Sequence, residues 1–149
     1  MKKENFFPFL IVIFFITAIS FFLSSDENLR HIKQVKIAEQ SIKVELALTQ
    51  KEQMGGLSGR SEMKENEGML FIFYKPGIYP FWMKNMNFAI DMIWIGEDLR
   101  VVYIKKDARP ENFLETFGPE QDAKYVLEVV SGFSEKNNLK EGDEVQFVY

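Results

Sequence analysis

A mainly β fold, a β-sandwich or open barrel with one or two short helices, is what the sequence predicts for residues 35–149, preceded by an N-terminal transmembrane or signal helix. Three observations predict it. Ile42, Val44, Leu46 and Leu48 alternate with Lys43, Glu45 and Ala47, the period of a half-buried strand. Apolar runs at 69–74 and 92–95 are bounded by Gly, Pro and Asp, and are short enough to be central strands covered on both faces. Residues 6–23 form an 18-residue stretch without charge, broken only by Pro8, Thr17 and Ser20. As a helix that stretch spans roughly 27 Å, close to the thickness of a bilayer's hydrocarbon core.

Taken in order, residues 1–23 read as a membrane anchor or signal peptide. Lys2, Lys3 and the α-amino group outweigh Glu4, so the N-terminus stays cytoplasmic and the remainder is exported. Ala18-Ile19-Ser20 resembles a small-x-small cleavage site, but cutting there would leave Phe21, Phe22 and Leu23 on the mature end. An uncleaved anchor through residues 6–23 is therefore the preferred reading; a cleaved segment would make the protein secreted. Residues 24–34 are polar, without an apolar period, and form a tether. Val35 opens the domain, and the strand that starts there pairs with the alternating strand through a turn at Glu39, Gln40 and Ser41. Thr49-Gln50-Lys51-Glu52 has the form of a capping box that opens a short helix, which Gly55-Gly56 would end. Further strands are expected at 100–104, 125–130 and 144–148, with a helical turn at 134–138. Residues 105–124 make a long charged connection, a length typical of binding elements and of surface excursions alike.

Composition removes several function classes. The chain has 149 residues and no cysteine, which excludes a disulfide framework, thiolate chemistry and Cys-based metal sites. His31 is its single histidine, so no His-rich metal site is expected, and no cofactor is implied. With 22 acidic residues against 18 basic ones, the chain lacks the positive surface that nucleic acid requires.

Gly56-Leu57-Ser58-Gly59-Arg60, Gly68-Met69-Leu70-Phe71-Ile72-Phe73, Phe81-Trp82-Met83-Lys84-Asn85-Met86, Ile90-Asp91 and Tyr125-Val126-Leu127-Glu128 occur in that order. Together they resemble the pattern of the DUF192 (UPF0127) family over residues 35–149. Ser58 stands where the family usually has Met, and Ala89-Ile90 where it often has Pro-Leu. The resemblance implies a β-rich domain, often exported or membrane-tethered in bacteria and archaea, without an established biochemical activity.

The motif residues carry the candidate chemistry. Glycines on both sides of Ser58 would set Arg60 on a tight loop, where its fork could hold an anionic ligand or pair internally with Asp91 or Glu128. If residues 81–85 are extended, Trp82 and Lys84 share one face and Asn85 lies on the other. Trp82 beside a cation could be a platform for a sugar ring or a core residue in the sandwich, and Pro80 suggests a sheet edge. Asp91 and Glu128 each interrupt an apolar run. A buried carboxylate must be paired structurally or tuned for chemistry.

Arg60, Trp82, Lys84, Asn85, Asp91 and Glu128 are accordingly the expected ligand-binding residues, with no metal among their roles. The leading expectation is a membrane-tethered extracytoplasmic domain that binds a small polar or anionic ligand, with carbohydrate as a candidate, and not nucleic acid. The alternatives are a carboxylate-based hydrolase of envelope glycans and a structural or interaction module without a small-molecule site.

Overall fold

The structure, a computed structural model, describes residues 28–149. The anchor or signal segment at 1–23 and the first part of the tether lie outside the described residues. Among those described, no helix is long and apolar enough to cross a membrane. The compact unit is Ile32–Tyr149. It starts three residues before the expected boundary because Ile32 is already buried and the Lys33 amide donates to the Val148 carbonyl at 2.7 Å.

Nine strands form the unit: β1 (Gln34–Ile37), β2 (Gln40–Ala47), β3 (Glu67–Gly77), β4 (Phe81–Trp82), β5 (Ile90–Ile95), β6 (Val101–Ala108), β7 (Thr116–Phe117), β8 (Ala123–Val130) and β9 (Val145–Val148). Seven of them make one sheet in the order β6-β5-β8-β3-β2-β1-β9, with β2 and β3 parallel and the other neighbours antiparallel. The sheet curls into a half-barrel. Its two edge strands approach at a bridge between Arg100 and Glu144, and Tyr125 on β8 meets Phe147 on β9 at 5.0 Å across the interior. The open-barrel half of the sequence expectation is therefore the architecture found.

Local signals act as expected in most places. Residues Ala38 and Glu39, both at positive φ, make the two-residue hairpin turn, one position earlier than anticipated. Thr49 caps α1 (Gln50–Gly55) with both hydrogen bonds of the capping box, and Gly56 ends it at φ +48. The second helix, α2 (Phe133–Lys136), is a single turn. The long connection is shorter than expected, because β6 continues through Ala108 and a 3-10 turn (Pro110–Asn112) and β7 occupy much of the remainder.

Alternation along the strands divides the core in two. Leu70, Leu127, Val129, Ile93 and Ile95 fill the barrel interior. Met69, Phe71, Val126, Met92 and Trp94 make a second apolar layer on the outer face. The two-stranded ribbon β4–β7 accompanies that outer layer, with Phe81 opposite Phe117.

Candidate functional site

Glu128 sits at the centre of the outer face. Glu45, Met69, Glu128, Met92 and Lys105 are successive register partners across β2, β3, β8, β5 and β6, so their side chains share that face. Two methionines thus flank the carboxyl on the neighbouring strands. Glu128 is 4% exposed, and among the described residues its buried Oε2 has no hydrogen-bond partner. Burial pushes the carboxyl up to about 8, with the positive charge of Arg60 pulling it back only in part. At neutral pH it holds its proton in most molecules.

Above Glu128 opens a cleft of about 230 Å³. One wall is α1 with the following loop, through Gln53, Met54 and Leu57. The other wall is aromatic, made by Phe71 and Phe73 on β3, Tyr79 before β4, and Phe81 and Trp82 on it. Among the described residues that line it there is one carboxyl, Glu128, and no lysine or arginine. Phe73 and Tyr79 stack at 3.6 Å, while Phe81 stands edge-on to Phe71 at 4.8 Å and to Trp94 at 5.6 Å. Trp94 also donates from Nε1 to the Tyr79 carbonyl at 2.8 Å, which holds that segment to the sheet.

Glycine at position 68 lets the strand that supports this site come close. A Cβ there would lie 2.7 Å from the Glu128 carbonyl oxygen and 3.1 Å from the Ile42 side chain. Since the first of these is backbone, no side-chain adjustment would relieve it. The glycine of the Gly68-Met69-Leu70-Phe71 motif is thus explained by the approach of β3 to β8 beneath the carboxyl.

The two most distinctive motifs lie against each other at the cleft mouth. Gly59 donates to the Asn85 carbonyl at 2.9 Å, Ser58 Oγ to the Lys84 carbonyl at 3.0 Å, and Asn87 Nδ2 to the Arg60 carbonyl at 2.8 Å. Leu57 and Met83 anchor the two loops from beneath, 2% and 0% exposed. Residues 56–60 and 83–87 therefore form one stitched rim.

The expected site residues divide. Trp82 is half exposed at the cleft edge, with Lys84 Nζ 5.6 Å from its ring centroid. Residues 81–85 are not one extended segment, however: the strand ends at Trp82, Met83 turns inward, and Asn85 takes φ +59 in a turn. Asn85 supplies a carbonyl to the rim. Arg60 places both terminal guanidinium nitrogens on Glu45, at 2.6 and 2.7 Å, instead of on Asp91 or Glu128. That hydrogen-bonded pair holds the Glu45 carboxyl below its usual range and raises the Arg60 guanidinium.

Asp91 belongs elsewhere. Its register partner on β8 is Val129, one residue beyond Glu128, so it faces the barrel interior, on the side of the sheet away from the cleft. Its Oδ1 accepts from the Asp107 amide at 2.9 Å and the Gly132 amide at 3.3 Å, and Oδ2 from the Ser134 amide at 2.8 Å. It ties the end of β6 to the start of α2. The sequence reading missed Phe73 and Tyr79 as cleft residues. Phe73 lay in an apolar run that reads as plain core, while the density of aromatics near Pro80 was the available signal for Tyr79.

The DUF192 family model, described as an uncharacterized ACR, matches residues 32–147. A crystal structure of a protein of unknown function from Novosphingobium aromaticivorans is similar at 32% identity and TM-score 0.73, over 77% of this chain and 84% of that one. A crystal structure described as a putative transcription regulator from Sinorhizobium meliloti is similar at 27% identity and TM-score 0.71, over 76% of this chain and 90% of that one. No curated protein matches the sequence.

Proposed function

The chain belongs to the DUF192 family, and from that premise we propose that it is a small-molecule binding domain, held on the extracytoplasmic side of a membrane by residues 6–23. The single observation that carries the binding reading is Glu128, a buried carboxyl with an oxygen unpartnered among the described residues, at a cleft walled by aromatic side chains. Leaving a polar atom buried without a partner costs free energy, and a ligand group in the cleft would recover it. An apolar cavity with few convergent polar groups is the usual form of a small-molecule site. Trp82 at the edge offers a stacking surface for a planar or sugar-like ring.

The arrangement favours a polar ligand over an anionic one, since the guanidinium of Arg60 is engaged by Glu45. It gives less support to a paired-carboxylate hydrolase. Asp91 faces the other side of the sheet, and Glu45, on the same row as Glu128, is clamped by Arg60. The regulator description of the Sinorhizobium relative draws no support from a chain with 22 acidic and 18 basic residues.

Thermal shift of the full chain against neutral sugars, alkylamines and small carboxylates tests the binding reading, because a molecule that binds only the folded state raises Tm. At least one non-anionic member is expected to stabilise the parent and to lose its effect with Trp82→Ala. That variant itself should cost about 1 kcal/mol, well under the loss for a buried tryptophan. Stabilisation by none of the classes would refute the proposal. The placement is tested separately by membrane fractionation and protease access from the outer side; full-length protein in the cytoplasmic soluble fraction would refute it.

A further inference from the structure

We propose that the cleft takes an organic ammonium ion, its cationic head against the Glu128 carboxyl and its apolar substituents among Phe73, Tyr79 and Trp82. This inference rests on the small-molecule reading of the same cleft and names the class of ligand. Phe71, Phe73, Tyr79, Phe81 and Trp82 line the site with one carboxyl, and no basic residue is among the described lining residues. Aromatic faces carry negative potential, and rings arranged around a carboxylate are the recurrent way proteins hold alkylated ammonium groups. An anionic ligand would meet the same faces and the same carboxyl as repulsion. At the rim Lys84 directs its ammonium to the Trp82 ring, and away from the cleft Lys105 makes the same kind of contact 4.5 Å from the centroid of Phe117.

Burial among apolar neighbours explains why Glu128 keeps its proton. Met69 and Met92 flank it on β3 and β5, α1 presents the amides of Gln50 and Gln53, and β4 presents Phe81 and Trp82, so among the described residues no neighbouring charge in the cleft compensates a carboxylate. The charged groups around it are Arg60, which acts on it at a distance while paired with Glu45, and Lys105 at the far end of its row. The phenol of Tyr79 donates to the Lys75 carbonyl at 2.7 Å. A bound cation supplies the missing compensation. The proton leaves Glu128 for solvent, and the carboxylate and ammonium form the buried pair.

A matched pair of probes decides the matter: choline, whose charge is permanent, and 3,3-dimethylbutan-1-ol, which has the same shape without the charge. Binding to the full chain is followed by isothermal titration between pH 6 and pH 9. Choline should bind at least tenfold more tightly than the alcohol at pH 9. Because only the deprotonated fraction of a group titrating at about 8 is competent, its affinity should fall on the order of 100-fold at pH 6. Glu128→Gln keeps the shape of the protonated side chain, and should fold, bind choline weakly and show no such pH response. Equal binding of the two probes, or choline binding that survives Glu128→Gln, would overturn the ammonium assignment while leaving a small-molecule cleft. Binding of neither probe, together with no response to the wider panel of sugars, amines and carboxylates, would overturn both.

Discussion

Two buried carboxylates on opposite faces of one sheet have been given opposite surroundings. Asp91, 0% exposed, receives three backbone amides from the β6 end and the start of α2. Glu128, 4% exposed, has methionines on the adjacent strands and an oxygen without a partner. Burial by itself therefore says little about a carboxylate's role. What separates the two is whether the fold provides donors: where it does, the carboxyl group holds elements together, and where it does not, a buried oxygen is left without a donor among the described residues.

The comparison is tested most severely by the pH dependence of stability. The folded chain keeps the Glu128 proton up to about 8, whereas the unfolded chain releases it near 4.5. Between these values the folded state binds more protons, so this group's contribution is complete below pH 4.5 and is lost as pH rises through 8. At about 1.4 kcal/mol per unit, the whole window amounts to about 4–5 kcal/mol. Glu128→Gln should abolish that fall and make the variant the more stable protein at pH 9, with near equality at pH 4. Urea unfolding of both proteins across this range measures the difference. Coincident profiles would mean that Glu128 is solvated and that the contrast with Asp91 is false.

Replacing Asp91 should lower stability instead of raising it. Asp91→Ala leaves the amides of Asp107, Gly132 and Ser134 without their acceptor in a buried setting, at a cost of about 3 kcal/mol. Asp91→Asn should recover only part of it, because the amide nitrogen would face an N–H donor. Urea midpoints at neutral pH give both values. A loss below about 0.5 kcal/mol for Asp91→Ala would remove its structural assignment.

Much of this fold was legible because its signals are local. The pairing of β1 with β2, the Thr49 capping box and the apolar strands around Leu70 and Ile93 each follow from a few adjacent residues, though the hairpin turn falls one position earlier than read. The β4–β7 ribbon was not legible, since two-residue strands have no period to read. The site was legible in composition but not in arrangement. Glu128 and Asp91 look alike as acids within apolar runs, and only register and curl decide that one faces the cleft and the other the barrel interior. Arg60 could be seen to need a partner. That the partner is Glu45, a polar position in an alternating strand, depends on how β2 meets the loop after α1.

Arg60 gives the smallest effect on stability and sharpens the contrast most finely. Its side chain is 36% exposed and that of Glu45 64%, so solvent screens the pair, and Arg60→Met should cost at most about 1 kcal/mol despite the bidentate geometry. A double-mutant cycle with Glu45→Gln should return a coupling of about the same size. The charge of Arg60 nonetheless reaches Glu128 and draws its proton affinity down. Removing that charge should move the Glu128 titration upward from about 8, which NMR of the side-chain carboxyl carbon would report directly. In an Asp91→Asn background the stability cost of Arg60→Met should simply add, because the two side chains lie on different faces and share no partner. A loss as large as that of Asp91→Ala, or an unmoved Glu128 titration, would show that Arg60 serves the packing of its loop and does not act on Glu128.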